Sequence, residues 1–243
     1  MEKLFTRAQQ QQQFELAQQA FERGDYDAAE PLFRLVIESS FQHNDLDTYV
    51  SAIVWLERIL VNTSRIAELH QYIILVNPLI DRYGYEEIKE RHELNKIIFN
   101  IYNRIGKPVE AYEKLLADLS TKNYTDLKCA VANNLMYYFV DTKKYDEGLR
   151  LHYQIRALYE KNTDVGQMAR YMFWIYSFEL FYLNKDYAEC RAILMLLQQQ
   201  DMIVESFHFM YPICQGLLES QIGSLEKAFS YFDMRQKSIV GKS

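Results

Sequence analysis

Glycine and proline are scarce, eight and four in 243 residues, roughly half or less of average usage. An all-β protein needs turn formers at short, regular intervals, and this chain does not have them. The same scarcity disfavours a βαβ enzyme with glycine-rich phosphate loops. Basic runs are missing too. The net charge is −6, which argues against the cationic face of a nucleic-acid-binding domain and a patch for anionic lipid. No uninterrupted apolar stretch of about 18 residues occurs, and the amino terminus has no apolar signal core. Cysteine is limited to Cys129, Cys190 and Cys214, with no CxxC pair. Such thiols read as reduced and buried, and the chain as cytoplasmic. What is abundant is apolar and aromatic: 49% hydrophobic residues, with 19 tyrosines and 14 phenylalanines. These features together predict an all-α protein.

One phrase recurs along the chain. A small or polar turn is followed by an aromatic or apolar residue, an acid and then a small residue. It reads Gly24-Asp25-Tyr26-Asp27-Ala28-Ala29, and returns around Ile66, Pro108, Tyr145, Tyr187 and Leu225. The spacing predicts six repeats of roughly 40 residues: 1–43, 44–83, 84–121, 122–162, 163–199 and 200–243, forming a single domain over 1–243. Gly24, Gly106 and Gly223 are expected to close a helix in the left-handed conformation. An acid then favours the start of the next helix. Ala29, Ala111, Gly148, Cys190 and Ala228 are the small residues that let the paired helices approach. Trp174, Ser177, Phe178 and Phe181 share one helical face, as do Ala29, Phe33, Val36 and Ile37. Such hairpins bury their apolar faces by stacking.

This pattern resembles the tetratricopeptide repeat (TPR) family, whose first helix carries Trp-x2-Leu-Gly-x2-Tyr and whose second carries Ala-x3-Phe. Trp174 and Phe181, Gly216, Ala17 and Tyr102 fill first-helix slots. Ala29 with Phe33, and Ala228 with Phe232, fill second-helix slots. The period is longer than the family's 34 residues, so longer helices are expected, as in bacterial regulatory members. The resemblance implies a right-handed α-solenoid of about six helical hairpins. It also implies a non-enzymatic module of intracellular signalling that holds a peptide or protein segment in its concave groove.

Carried over by register, the groove positions of the third repeat are Glu93, Lys96, Asn100, Asn103 and Arg104. Those of the fourth are Ala130, Asn133, Tyr137, Val140 and Asp141, and those of the fifth are Met172, Ile175, Glu179, Tyr182 and Leu183. The second repeat is too degenerate to register. The candidate peptide-binding set is Lys96, Asn100, Asn103, Arg104, Asn133, Tyr137, Glu179 and Tyr182. Asparagine amides can pair with both backbone groups of an extended peptide. Lys96 and Arg104 could receive a carboxylate, and the tyrosines supply amphipathic contact area.

Catalytic and metal signatures are not found. The five histidines form no ligand spacing with one another or with cysteine, and His152 falls where a second-helix phenylalanine belongs, as a packing residue. No enzyme activity, cofactor or metal is expected. The last helix carries Phe229, Phe232 and Ile239, a candidate interface for pairing two copies or docking another domain. An alternative follows from that interface: the chain is the sensory or dimerising segment of a larger bacterial signalling enzyme, such as a diguanylate cyclase, with the output domain beyond Ser243.

Overall fold

A computed structural model describes residues 6–161, 165–199 and 210–240, and every regular element among them is helical. The helices are α1 (Arg7–Glu22), α2 (Tyr26–Gln42), α3 (Leu46–Asn62), α4 (Ile66–Val76), α5 (Ile80–Tyr83), α6 (Glu86–Tyr102) and α7 (Pro108–Leu119). They continue with α8 (Thr125–Asp141), α9 (Tyr145–Lys161), α10 (Gln167–Leu183), α11 (Tyr187–Gln199), α12 (Met210–Ile222) and α13 (Leu225–Val240). The pairs α1/α2, α3/α4, α6/α7, α8/α9, α10/α11 and α12/α13 each fall inside one sequence repeat. The chain divides into two compact units, 1–127 and 128–243, where the sequence suggests one domain.

A single turn geometry joins most of these helices. Gly24 has φ +75°, its N–H donates to Phe21 O, and the N–H of Asp25 donates to Ala20 O. These two bonds define a Schellman closure, which satisfies carbonyls that the helix end leaves open. The same pair of bonds recurs at Asn44, Ser64, Arg104, Lys143 and Lys185, each with φ between 55° and 62°. Within hairpins the left-handed residue stands at 24, 64, 104, 143 and 185, steps of 40, 40, 39 and 42. Asp25, Asp45 and Asp186 follow such residues and accept from the N–H three residues on, at 3.1, 3.3 and 3.2 Å, capping the next helix.

Two glycine expectations need correction. In the third hairpin Arg104 closes the helix, and Gly106 (φ +74°) lies two residues further on. Gly223 does not adopt the left-handed conformation. Its N–H continues the helix to Glu219 O at 2.9 Å, and the Glu219 carboxylate accepts from Ser224 N–H at 3.3 Å.

In the first unit α3 is the centre: it packs on α2, α4 and α6 and also touches α1. Val50, Ala52, Ile53, Leu56, Ile59 and Leu60 are fully buried. Arg34 and Arg65 bridge Glu30 and Glu68, tying α2 to α4. Burial would raise both carboxyls, but the two guanidinium groups hold them below the usual range. Helix α4 stops at Val76, just before Pro78, and α5 follows as a single turn.

In the second unit α10 is the centre, packed on α9, α11 and α12. Trp174, Ser177, Phe178 and Phe181 are all buried, as the sequence pattern requires. Gly148 lies against Leu180 and Phe139, and Gly216 against the ring of Phe232. His152 is buried at the phenylalanine slot, its ring parallel to Phe173 at 5.2 Å. Ser177 Oγ–H donates to Phe173 O at 2.7 Å, so it accepts from His152 Nδ1–H at 2.8 Å.

Candidate functional site

Helix α6 carries Lys96 and Asn100, with Asn103 at its C-cap and Arg104 just beyond it. Its core face is Ile88, His92, Leu94, Asn95, Ile97 and Ile98, which leaves Glu93, Lys96, Asn100 and Asn103 on the other side. Lys96 Nζ is paired with Glu93 at 2.8 Å, so its charge is already met. Asn103 caps the helix, and its amide donates back to Phe99 O at 2.8 Å. Arg104 is the left-handed turn residue, exposed beyond the helix end. Asn100 is half-buried and its side chain makes no hydrogen bond among the described residues. A basic clamp for a carboxylate therefore has one paired lysine and one turn arginine.

The other four lie in the second unit, on α8 and α10. Asn133 is 9% exposed and its amide is spent on packing: Nδ2 donates to Ala169 O at 2.9 Å, and Oδ1 accepts from Tyr159 O–H at 2.9 Å. It joins α9 and the start of α10 to α8, and offers no free backbone-reading group. Tyr182 is half-buried, stacked on Phe178 at 6.0 Å and beside Tyr187 at 5.9 Å. Tyr137 is more than half exposed, with its ring 5.8 Å from that of Tyr176. Ile175, expected to line the groove, is buried; Tyr176 takes the outward position one residue on. Glu179 stands one turn after Tyr176 and has no ion pair among the described residues. Burial alone raises its carboxyl above the usual range.

A polar cluster in the first unit carries no motif. Glu57 is fully buried on α3, with Oε2 2.9 Å from His92 Nδ1 and 3.2 Å from Asn95 Nδ2. His92 Nε2 lies 3.0 Å from Asn77 Oδ1. Burial raises the Glu57 carboxyl, and the hydrogen bond from His92 opposes it. Carboxylate, imidazole and carboxamide are chemically versatile, but Glu57, His92 and Asn95 are all withdrawn from water. Their arrangement fixes the register of α3 against α6. The one sequence signal is a glutamate inside the apolar run from Tyr49 to Val61.

Of the interface residues, Phe229 is 69% exposed, whereas Phe232 turns inward over Gly216. The side chain of Ile239 lies outside the described ones. No group of three or more His, Cys, Asp or Glu that could hold a metal ion occurs among the described residues, nor a helix long and apolar enough to cross a membrane. Comparison of the chain with protein-family models, curated proteins and solved structures returns no match.

Proposed function

We propose that this chain is a TPR-type α-solenoid, without catalytic activity of its own, that binds a peptide or protein segment on the face of its first helices. The observation that carries the reading is the Schellman turn recurring about every 40 residues inside successive hairpins. Repetition of one hairpin unit is the basis of extended binding surfaces in repeat proteins. The outward residues of each unit support it: in the first, Glu93 and Asn100 on α6 and Asn103 at its C-cap; in the second, Tyr137 on α8 and Tyr176 and Glu179 on α10, all at least partly accessible and polar or amphipathic. Selection of displayed peptides on the immobilised chain tests it, followed by amide-shift mapping of a selected peptide. Shifts at Asn100, Tyr137 and Glu179 are expected. Shifts confined to α2, α7, α9 and α11 would overturn the assignment.

A second reading is favoured by the last hairpin, where Leu225 and Phe229 are both about two-thirds exposed, four residues apart on one side of α13. There the chain serves as a sensory or pairing segment of a larger signalling enzyme. Sedimentation of the chain against Phe229→Asp separates the two: a dimer lost on substitution favours pairing, and an unchanged monomer does not.

A further inference from the structure

Glu179 is an exposed carboxylate of the second unit, one turn after Tyr176 and with no ion pair among the described residues. On α10 it shares a face with Met172, Tyr176 and Leu183, at steps of 4, 3 and 4, and all four are at least partly accessible. From α8, Tyr137 closes on Tyr176 at 5.8 Å with the rings tilted by 50°. Asp141, one turn beyond Tyr137 on α8, is exposed and carries a second negative charge. From α12, the Cys214 thiol is near enough to Glu179 for the carboxylate to help burial push it up to about 12. That thiol is neutral at ordinary pH. Lys144 lies over the Tyr138 ring at 5.9 Å, and Lys143 and Lys185 are exposed left-handed turn residues.

We propose that this face receives a cationic group, a lysine or arginine side chain or an amino terminus of the bound peptide, between Tyr137, Tyr176 and Glu179. The proposal rests on the peptide-binding reading above and reverses the charge first expected for the ligand. An unpaired carboxylate attracts a cation by Coulomb's law, more strongly beside apolar rings than in open water. Aromatic faces attract the same cation through their quadrupole. A peptide's cation would supply what the described residues of the second unit do not. On α6, by contrast, the lysine that could have met an acidic ligand is already paired with Glu93.

The test uses the whole chain, labelled with nitrogen-15, and pools of capped pentapeptides randomised around a fixed central residue. That residue is lysine in one pool, norleucine in the second and glutamate in the third. The lysine pool is expected to shift the amides of Tyr137, Tyr176 and Glu179, more at low salt than at high. Glu179→Gln should weaken that binding about tenfold, and Tyr137→Leu about threefold. Neither substitution removes a described ion pair or a core side chain, and thermal unfolding of each variant should match the parent. If the norleucine pool shifts the same residues equally, or Glu179→Gln binds lysine peptides unchanged, the cation claim is overturned while the groove reading stands. If no pool shifts the first helices, both fall.

Discussion

Glu57 Oε2 and His92 Nδ1 sit 2.9 Å apart in the core of the first unit, each side chain almost wholly sealed from solvent. The carboxyl's pKa is raised above its ordinary 4.5, chiefly by burial. The folded state therefore holds that proton more tightly than the unfolded chain does. Its contribution to stability is complete below pH 4.5 and is lost as pH rises through the raised folded value. Glu57→Gln retains an acceptor for His92 and cannot ionise. The variant should match the parent at acid pH and be the more stable at pH 8. Urea midpoints across that range check this; parallel curves would refute it.

His152 gives the opposite slope. Burial, and then the charge of Arg156, lower its pKa from 6.5 to about 4. Its contribution is intact above pH 6.5 and disappears as pH falls through 4, about 3 kcal/mol in all. His152→Phe restores the residue type expected at that repeat position. It keeps the stacking on Phe173, and Ser177 still has Phe173 O as its acceptor. The variant should lose the acid-sensitive step, visible as a flatter melting temperature between pH 4 and 6.5.

Asn103 and Asn133 look equivalent in the sequence and differ in the structure. Asn133→Ala breaks two side-chain hydrogen bonds in a buried place and should cost about 2 kcal/mol. Asn103→Ala removes one exposed bond to Phe99 O and should cost about 0.5 kcal/mol or less. Chemical denaturation of the single variants measures both. A neutral Asn133→Ala would contradict the packing role given to it.

Gly216 and Gly148 separate by what their missing methyl would meet. At Gly216 it would fall 2.5 Å from the Phe232 ring; at Gly148, 2.6 Å from the end of the Leu180 side chain. A rigid ring yields less easily than a leucine methyl. Gly216→Ala should destabilise by about 2 kcal/mol, and Gly148→Ala by less. Gly216→Ala combined with Phe232→Leu should recover part of the loss.

The left-handed turns offer a gain. Lys143 and Lys185 pay roughly 1 kcal/mol each for positive φ. Replacing either with glycine should raise the unfolding midpoint, less the entropy glycine adds to the unfolded chain. A fall in the midpoint would mean the lysine side chain stabilises the turn by more than that cost.

The hairpin boundaries were legible because turn, cap and small residue recur together, and each hairpin lies within its sequence repeat. The identity of the turn residue was not. Arginine and lysine carry no signal for positive φ, so Gly106 and Gly223 drew attention that belonged to Arg104 and to the Glu219 carboxylate. The second repeat resisted register because its phrase, Ser64-Arg65-Ile66-Ala67-Glu68, is a degenerate copy without the glycine or the aromatic residue of the first. In the candidate site, Tyr137 and Glu179 face outward as the register implies. Ile175 and Asn133 do not, and one residue of slip turns a helix position by about 100°. The Glu57 cluster joins residues 35 apart in sequence, and a lone glutamate or histidine on a helix otherwise reads as surface.

The backbone takes one conformation at Gly24, Ser64 and Arg104, spaced exactly alike by 40 residues. Each stretch of chain between two of these points therefore starts and finishes at geometrically interchangeable bonds. Excising 25–64, or copying it in tandem, rejoins the chain without asking any turn to refold. An insertion or deletion between such points would change the length in whole hairpins, and the five within-hairpin turns are the joints at which it would disturb least.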